Sequence, residues 1–197
     1  MDYRLAGRSR GARERKYVVS SPVLFTQRLM LRAPNAGDFE DWAAFHADEV
    51  TMRFLGGVQP RSVAWRGLCG MAGAWSIRGY SMFSVIERAT GRWVGRIGPH
   101  YPDGWPGREV GWGVARAFAG KGYAHEAAVA TIDYAFDVLG WDDVMHIIDP
   151  ENAPSIALAR RLGSTNRGAT QMPPPLETFT CDNWGQSADA WRTRHGR

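Results

Sequence analysis

Residues 108–125 read REVGWGVARAFAGKGYAH, and this stretch carries the most information in the chain. Its first part predicts a strand from Glu109 to Val114, and an apolar stripe after the glycines predicts a helix from Tyr123 to Leu139. A glycine loop at the start of a helix points several backbone N–H groups at one spot, at the positive end of the helix dipole. The stretch therefore predicts a binding site for a diphosphate group.

Two common phosphate-binding motifs do not fit this loop. The dinucleotide motif G-x-G-x-x-G needs a third glycine after Gly120 and Gly122, and none stands at that offset. The P-loop motif needs Ser or Thr after Gly-Lys, and here Gly122 follows Lys121. The phosphate-bearing ligand is therefore of another kind, unless the glycine turn only caps the helix.

The composition excludes several classes of protein. The 197 residues suffice for one domain with its own core, and 44% are hydrophobic and 22% charged. No apolar run reaches the length of a membrane span, and the first residues hold no apolar core of a secretion signal. The two cysteines, Cys69 and Cys181, are too far apart for a metal-binding pair. We therefore expect a cytoplasmic protein with no metal site and no membrane partner.

The net charge of +4 arises at the beginning of the chain. Residues 1–16 hold six basic and two acidic side chains, and the rest of the chain holds eighteen of each. We therefore divide the chain into a basic, disordered tail over residues 1–20 and a single domain over residues 21–197. Such a tail either touches nucleic acid or the ribosome or is only a solvated extension.

The rest of the chain alternates between helices and strands. The pattern predicts strands over residues 26–32, 82–87, 92–97, 109–114, 144–148 and 177–181. It predicts helices that begin after Asp38, Ser62, Gly122 and Asn152. This order indicates a mixed α/β protein without internal repeats.

Six segments agree in order and spacing with one known family. They are Thr26 to Arg32 followed by Asp38, Asp48 to Gly57, Gly95 to Gly98, Glu109 to Trp112, Gly120 to Ala127, and Asn152 to Gly163. Together they resemble the general N-acetyltransferase (GNAT) superfamily, and in particular its branch of ribosomal-protein N-terminal acetyltransferases. The resemblance covers about residues 24–165.

This resemblance implies a fold, an activity and a cosubstrate. The GNAT fold has a central mixed, mostly antiparallel sheet with helices on both faces, and its fourth and fifth strands splay apart. Members transfer an acetyl group from acetyl-coenzyme A (acetyl-CoA) to a primary amine by direct attack in a ternary complex. Acetyl-CoA is therefore the expected cosubstrate, and no metal is expected.

The contacts expected for acetyl-CoA follow from the matching positions. In the family, the loop holds the pyrophosphate and the end of the fourth strand pairs with pantetheine. The expected cofactor-binding residues are Val114, Ala119, Gly120, Lys121, Gly122, Tyr123, Ala124, Asn152 and Ser155. We expect Gly122 to matter most, because a side chain there blocks close approach of the diphosphate. Lys121 faces either the phosphates or solvent.

Acetyl transfer to an amine needs a base, a donor for the oxyanion and a proton for the leaving thiolate. Glu109 is the expected base, directly or through a water, because burial under Trp105 and Trp112 raises the pKa of a carboxylate. His100 is the second choice, and an ordinary structural role is open for both. Ser155 is the expected acid, and its alternative is a residue that only satisfies the first turn of a helix. Asn152 is a pantetheine contact, a helix cap, or both.

Three positions depart from the family's pattern. Ala119 replaces the usual Gln or Arg at the start of the loop, which removes a side-chain contact and leaves the backbone donors. Ala159 stands where many members carry a tyrosine acid, so that acid is missing. Ser164 replaces an expected aromatic residue, which predicts changed packing at the edge of the sheet.

The nine tryptophans do not cluster with basic residues, which argues against nucleic-acid binding by stacking. Trp42 and Trp65 fall on apolar helix faces and are predicted core residues. Trp93, Trp105 and Trp112 surround the expected acceptor side, where together they can form a pocket wall, although a core position is the more common role for any one of them.

Three functions follow as hypotheses from these observations. The first is an acetyltransferase acting on a protein N-terminus or a small-molecule amine. The second is a module of the same fold that binds acyl-CoA without turnover, and the retained Glu109, Ser155 and glycine loop argue against it. The third is a nucleic-acid-associated protein that uses the basic tail. The acceptor and the oligomeric state, monomer or homodimer, do not follow from the sequence.

Overall fold

A computed structural model describes residues 21–196, so the predicted basic tail over residues 1–20 lies outside the described residues. The strands are β1 (Leu24–Phe25), β2 (Leu29–Arg32), β3 (Phe83–Glu87), β4 (Trp93–His100), β5 (Glu109–Val114), β6 (Asp143–Ile148), β7 (Thr165–Thr170) and β8 (Cys181–Ser187). The α-helices are α1 (Phe39–Ala47), α2 (Glu49–Met52), α3 (Arg61–Arg78), α4 (Tyr123–Asp137), α5 (Ala153–Leu162) and α6 (Ala188–Arg194). No helix among residues 21–196 is long and apolar enough to cross a membrane.

The described strands form one sheet in the order β1-β2-β3-β4-β5-β6-β8-β7. Its neighbouring strands are antiparallel, except β5 and β6, which run parallel. In the described part of the chain, β5 and β6 share a single register pair, Glu109 with Met145, and beyond it they separate. The prediction of a mixed, mostly antiparallel sheet with a splayed central pair is therefore confirmed.

Helices cover both faces of this sheet. Adjacent residues of a strand point to opposite faces, and the neighbours Val85 and Ile86 belong to different hydrophobic clusters. On one face α4 packs Tyr123, Ala127 and Tyr134 against residues of β2, β3 and β4. On the other face α1 and α3 pack against Ile86 and Trp93 through Trp42, Phe45 and Leu68.

Asp38 fastens the start of α1 to the sheet in a way that the sequence did not indicate. Its side chain does not cap the helix. Instead it accepts hydrogen bonds from Arg32 (Nη2 to Oδ1, 2.5 Å) and from Ser84 (Oγ to Oδ2, 2.7 Å). Burial alone raises the pKa of Asp38, but these hydrogen bonds outweigh it, so the pKa lies below its ordinary value. The helix cap predicted at Ser62 is also wrong, because α3 begins at Arg61 after Pro60.

The C-terminal part differs most from the prediction. The strand predicted over residues 177–181 is wrong, because the chain forms β7 from Thr165, β8 from Cys181 and then α6. Residues Thr165 to Ala169 of β7 are exposed. Since β7 lies at the edge of the sheet and pairs only with β8 among the described strands, its sequence carries no apolar alternation.

Candidate active site

The glycine loop connects β5 to α4. Gly120 and Gly122 have φ angles of +74° and +79°, in the left-handed region that favours glycine. Gly122 is directly followed by Tyr123, the first residue of α4. The first N–H groups of a helix have no partner within it and lie at the positive end of its dipole. The loop therefore has the geometry predicted for a diphosphate site.

Arg28, just before β2, holds this loop in place. Its Nη1 donates to the Lys121 carbonyl at 3.0 Å, and its Nε donates to Glu126 Oε2 on α4 at 2.6 Å. Its guanidinium also lies 4.4 Å from the centre of the Tyr123 ring. Arg28 belongs to a segment that resembles the family, but the sequence alone predicts no role for it, because its partners lie almost a hundred residues away.

A groove of about 610 Å³ runs along the loop and the starts of α4 and α5. Eight of the nine expected cofactor-binding residues line it: Val114, Ala119, Gly120, Gly122, Tyr123, Ala124, Asn152 and Ser155. Lys121 does not line the groove and is exposed. Its Nζ lies 5.1 Å from the centre of the ring of Phe118, which is itself a groove residue. Among the described residues, the charged side chains that line the groove are Arg53 and Arg161, so a polyanionic ligand suits it.

A smaller cavity of about 230 Å³ lies beside the groove. Glu109, His100 and Trp105 line it, so the structure brings both candidate bases together. The groove and the cavity share five lining residues, which are Phe54, Leu55, Trp112, Asn152 and Ser155. Two reactants that enter from opposite sides can therefore meet at this junction.

Glu109 begins β5, and only 7% of its surface is exposed. Its Oε2 accepts a hydrogen bond from Trp105 Nε1 at 2.7 Å, and its Oε1 accepts one from the Ile147 backbone at 3.3 Å. Burial raises the pKa of Glu109 to about 7, although these two hydrogen bonds and the charge of Arg96 act in the opposite direction. A carboxylate with such a pKa is suited to proton transfer near neutral pH.

Gly111, which has no side chain, leaves room for the Glu109 carboxylate. A Cβ atom on Gly111 would lie 2.5 Å from Met82 Cε and 3.1 Å from Glu109 Oε1. Both separations are shorter than ordinary contacts, so any larger residue at position 111 must displace its neighbours. Gly111 therefore keeps the space between Glu109 and the rest of the cavity open.

His100 lies opposite Glu109 in the register between β4 and β5. Its ring makes an edge contact with Trp105, with 4.9 Å between the ring centres. Burial, followed by the charges of Arg96 and Arg78, lowers the pKa of His100 to about 4. The imidazole is therefore neutral at pH 7 and is a much weaker base than the Glu109 carboxylate.

Ser155 and Asn152 begin α5 at the junction of groove and cavity. Asn152 Oδ1 accepts a hydrogen bond from the Ser155 backbone at 3.2 Å, which confirms the predicted helix cap. Ser155 Oγ accepts a hydrogen bond from Trp112 Nε1 at 3.2 Å. Because an indole N–H only donates, the Ser155 hydroxyl keeps its own proton for another acceptor.

The unusual Ser164 belongs to a buried polar network. Its Oγ lies 3.0 Å from His146 Nε2 and accepts a hydrogen bond from Gln186 Nε2 at 3.0 Å. His146 Nδ1 lies 2.7 Å from the Val110 carbonyl, and its ring lies against Trp112 with 4.6 Å between the centres. The network therefore supports Trp112 from behind, in place of the packing change expected at the edge of the sheet.

Other sequence-based expectations have mixed outcomes. Ala159 is fully buried beside Ile148 and Trp184, in a position without space for a phenol. Trp93 does not reach the cavity, because it is buried against α1 and donates to Ser84. Trp65 is 44% exposed, so its assignment to the core is wrong. Within residues 21–196, no group of three or more His, Cys, Asp or Glu side chains is placed to hold a metal ion.

Residues 28–165 match the family model described as an acetyltransferase (GNAT) domain. The chain belongs to the GNAT acetyltransferase family. The prediction of an acyltransferase is therefore confirmed.

Known GNAT proteins resemble the chain over most of its length. It is similar to the uncharacterized N-acetyltransferase p20 of Bacillus licheniformis, with 30% identity over 149 residues, which is 74% of this chain and 84% of the relative. An acetyltransferase structure from Agrobacterium tumefaciens str. C58 superimposes with a TM-score of 0.75 at 30% identity, covering 84% of this chain and 94% of that one. The ribosomal L7/L12 α-N-protein acetyltransferase RimL has a TM-score of 0.69 at 14% identity, covering 84% of this chain and 94% of that one, and shares the fold alone.

Proposed function

We propose that this GNAT protein transfers the acetyl group of acetyl-CoA to a primary amine by direct attack in a ternary complex. The observation that carries the proposal is the junction between the groove and the cavity. The groove begins at the glycine loop, and the cavity contains the buried carboxylate of Glu109. A module that only bound acyl-CoA has no need of a buried carboxylate with a pKa near 7.

The groove fits acetyl-CoA in both shape and charge. We assign the diphosphate to the backbone N–H groups at the start of α4, where Gly122 allows close approach. Arg53 and Arg161 add positive charge along the same groove. Near Val114, β5 has separated from β6, so the β5 backbone on that side is not paired with β6. We assign this stretch of backbone to the pantetheine arm.

Glu109 is the base in this mechanism. An ammonium ion has no lone pair, so Glu109 removes its proton, directly or through a water, before the nitrogen attacks. The nitrogen attacks the thioester carbon and forms a carbon–nitrogen bond, giving a tetrahedral oxyanion. When the oxyanion collapses, the carbon–sulfur bond breaks, and the nitrogen releases its second proton to solvent. A backbone N–H at the end of β5 is assigned to the oxyanion. Ser155 is the acid toward the leaving sulfur, because its hydroxyl proton is not used by Trp112, and it regains a proton from solvent.

Cys181 also lines the cavity, which raises the question of an acetyl-cysteine intermediate. Burial, followed by the charges of Asp149, Glu109 and Asp182, raises the pKa of the Cys181 thiol. The thiol is therefore protonated at neutral pH, and a protonated thiol is a poor nucleophile. This favours direct attack by the amine.

Initial-velocity kinetics of amine-dependent CoA release test the proposal. Peptides, amino acids, polyamines and aminoglycosides serve as the acceptor panel. Direct attack gives intersecting double-reciprocal lines, and Cys181→Ser keeps activity within about threefold. Parallel lines together with loss of activity in Cys181→Ser would overturn the ternary mechanism. Failure of every acceptor to release CoA would contradict the proposed activity.

A further inference from the structure

The cavity contains a cation that the proposed chemistry does not use. Arg96 of β4 lines the cavity, and its Nε is buried without a hydrogen-bond partner among the described residues. Its Nη1 contacts Met82 Sδ at 2.9 Å, and a thioether is only a weak acceptor. None of the ion pairs formed within residues 21–196 includes Arg96. The charge of the Glu109 carboxylate acts on Arg96, but the two side chains form no ion pair. A buried guanidinium without a directly contacting anion is costly, so this position favours an anionic ligand.

Arg96 approaches the cavity from the same face of the sheet as Glu109. It pairs with Gly113 in the register of β4 and β5, and its guanidinium lies 6.0 Å from the centre of the Phe45 ring, the ring that a Cβ on Gly113 would contact. Glu109, Gly111 and Gly113 alternate along β5 and therefore share that face. The two glycines leave the space between the carboxylate and the guanidinium free of intervening β5 side chains.

Among the described residues that line the cavity, Arg96 is the side chain that is positively charged at pH 7. Burial lowers the pKa of His100 and of His146 to about 4, so both rings are neutral at pH 7. Asp149 lines the cavity two residues after Ile147, whose N–H donates to Glu109. Carboxylates therefore come from the start of β5 and the end of β6, and a positive charge comes from the middle of β4. This arrangement complements a zwitterion.

The remaining walls restrict the size and polarity of the ligand. A volume of about 230 Å³ lies below the range of about 300–1,000 Å³ found for pockets that take drug-sized ligands. Apolar side chains line much of the cavity, namely Met71, Met82, Met172, Leu176 and Phe179. The cavity therefore suits one small molecule with an apolar part.

We propose that the acetyl acceptor is a small amine that also carries a carboxylate, the class of free amino acids with apolar side chains. Arg96 binds the carboxylate through charge-assisted hydrogen bonds, and the ammonium group faces Glu109. This inference rests on the proposed acetyl transfer. A peptide N-terminus offers a neutral carbonyl in place of the carboxylate, and a polyamine brings a second cation toward Arg96, so both are disfavoured.

Paired substrates test this inference directly. Leucine, methionine and phenylalanine are compared with their amides and with the corresponding amines that lack the carboxylate. The wild type is expected to show a kcat/KM at least about 100-fold higher for the amino acids, because the carboxylate-free analogues leave the guanidinium unpaired. In Arg96→Met the ratio falls below about tenfold. The matched control Arg66→Met removes an exposed charge from α3 and keeps the wild-type ratio.

Folding and binding measurements keep the test decisive. Replacement of an unpaired buried Arg by Met is neutral or stabilising, and thermal unfolding checks this. If Arg96→Met does not fold, Arg96→Lys keeps the charge without the planar fork and lowers the ratio in the same direction. Calorimetric titration of leucine into the CoA-saturated protein gives a readout that does not depend on turnover, and binding weakens at least about tenfold in either variant.

The outcomes separate the two proposals. Equal kcat/KM for amino acids and carboxylate-free amines in the wild type overturns the inference and leaves acetyl transfer intact. A carboxylate preference that neither Arg96 variant reduces overturns the assignment to Arg96. If no amine of the panel is acetylated, acetyl transfer fails, and this inference fails with it.

Discussion

The groove and the cavity are built by different means. The expected diphosphate end of the groove is formed by backbone within one short segment, where Gly120 and Gly122 turn the chain into α4, and residues 50–55 and 152–161 complete its walls. The cavity is formed by side chains from distant parts of the chain, including Arg96, Glu109 and Phe179. Comparison of the two shows that a site made of contiguous backbone can be predicted from a motif. A site made of converging side chains needs the fold.

The largest expected effect comes from a substitution that removes the proposed base from the cavity and leaves the groove unchanged. Glu109→Gln removes the proposed base, so kcat falls by about 10²- to 10⁴-fold. The dissociation constant of acetyl-CoA stays within about twofold, because Glu109 does not line the groove. Steady-state kinetics and calorimetry measure the two effects. Glu40→Gln, which changes a 78% exposed carboxylate that lines neither the groove nor the cavity, is the matched control and retains kcat.

The substitution Glu109→Gln, which lowers activity, is expected to increase the stability of the fold. The folded-state pKa of Glu109, about 7, lies above the ordinary value of 4.5, so folding is penalised once the group is ionised. Stability from this group falls as the pH rises from about 4.5 to about 7. Glu109→Gln therefore raises the free energy of unfolding by on the order of 2 kcal/mol at pH 8, and the gain disappears below about pH 4.5. Urea unfolding at both pH values checks this, and an equal gain at both would contradict the assigned pKa.

A smaller effect is expected from a substitution that weakens acetyl-CoA binding in the groove and leaves the cavity unchanged. Gly122→Ala places a side chain at φ +79° and close to the expected diphosphate, so acetyl-CoA binds at least about tenfold more weakly. Gly140→Ala has a similar φ of +66° at the other end of α4 and no atom within 4 Å of the added Cβ. Both variants lose about 1–2 kcal/mol of stability through backbone strain, but only the first loses affinity. Equal affinities by calorimetry would show that the loop does not hold the diphosphate.

The finest change adjusts the cavity without removing the base. The acid limb of kcat/KM is expected near pH 7, the pKa of Glu109. Trp105→Phe removes a donor that favours the ionised carboxylate, so the limb moves to higher pH. Glu109→Gln removes this limb and keeps the limb of the amine itself. A wild-type limb near pH 4 would contradict the assignment of the base to Glu109 and point to one of the two cavity histidines, His100 or His146.

Much of the fold could be predicted from the sequence where local signals were strong. The hairpin of β3 and β4, the strand β5 and the helices α4 and α5 matched their predictions within a few residues. The edge strand β7 and the helix α6 were missed. Exposed residues of an edge strand need no apolar pattern, and the polar sequence of β7 gave no signal.

The candidate site shows the same contrast between residues that a local motif predicts and residues that only the fold brings together. Eight of the nine residues expected to bind acetyl-CoA line the groove, because one motif carries most of them, and the exposed Lys121 does not line it. Glu109 could be predicted because its strand continues into that motif. Arg28 and Arg96 could not, since the first acts on a loop far away in sequence and the second is recognised only because its buried Nε has no hydrogen-bond partner among the described residues.

Calorimetric titration of acetyl-CoA into the wild type, Gly122→Ala and Glu109→Gln tests the separation of groove and cavity most directly. The wild type and Glu109→Gln are expected to bind with equal affinity, and Gly122→Ala at least about tenfold more weakly. The contradicting result is the reverse pattern, in which Glu109→Gln loses binding and Gly122→Ala retains it. That result would place acetyl-CoA in the cavity and remove the glycine loop from its site.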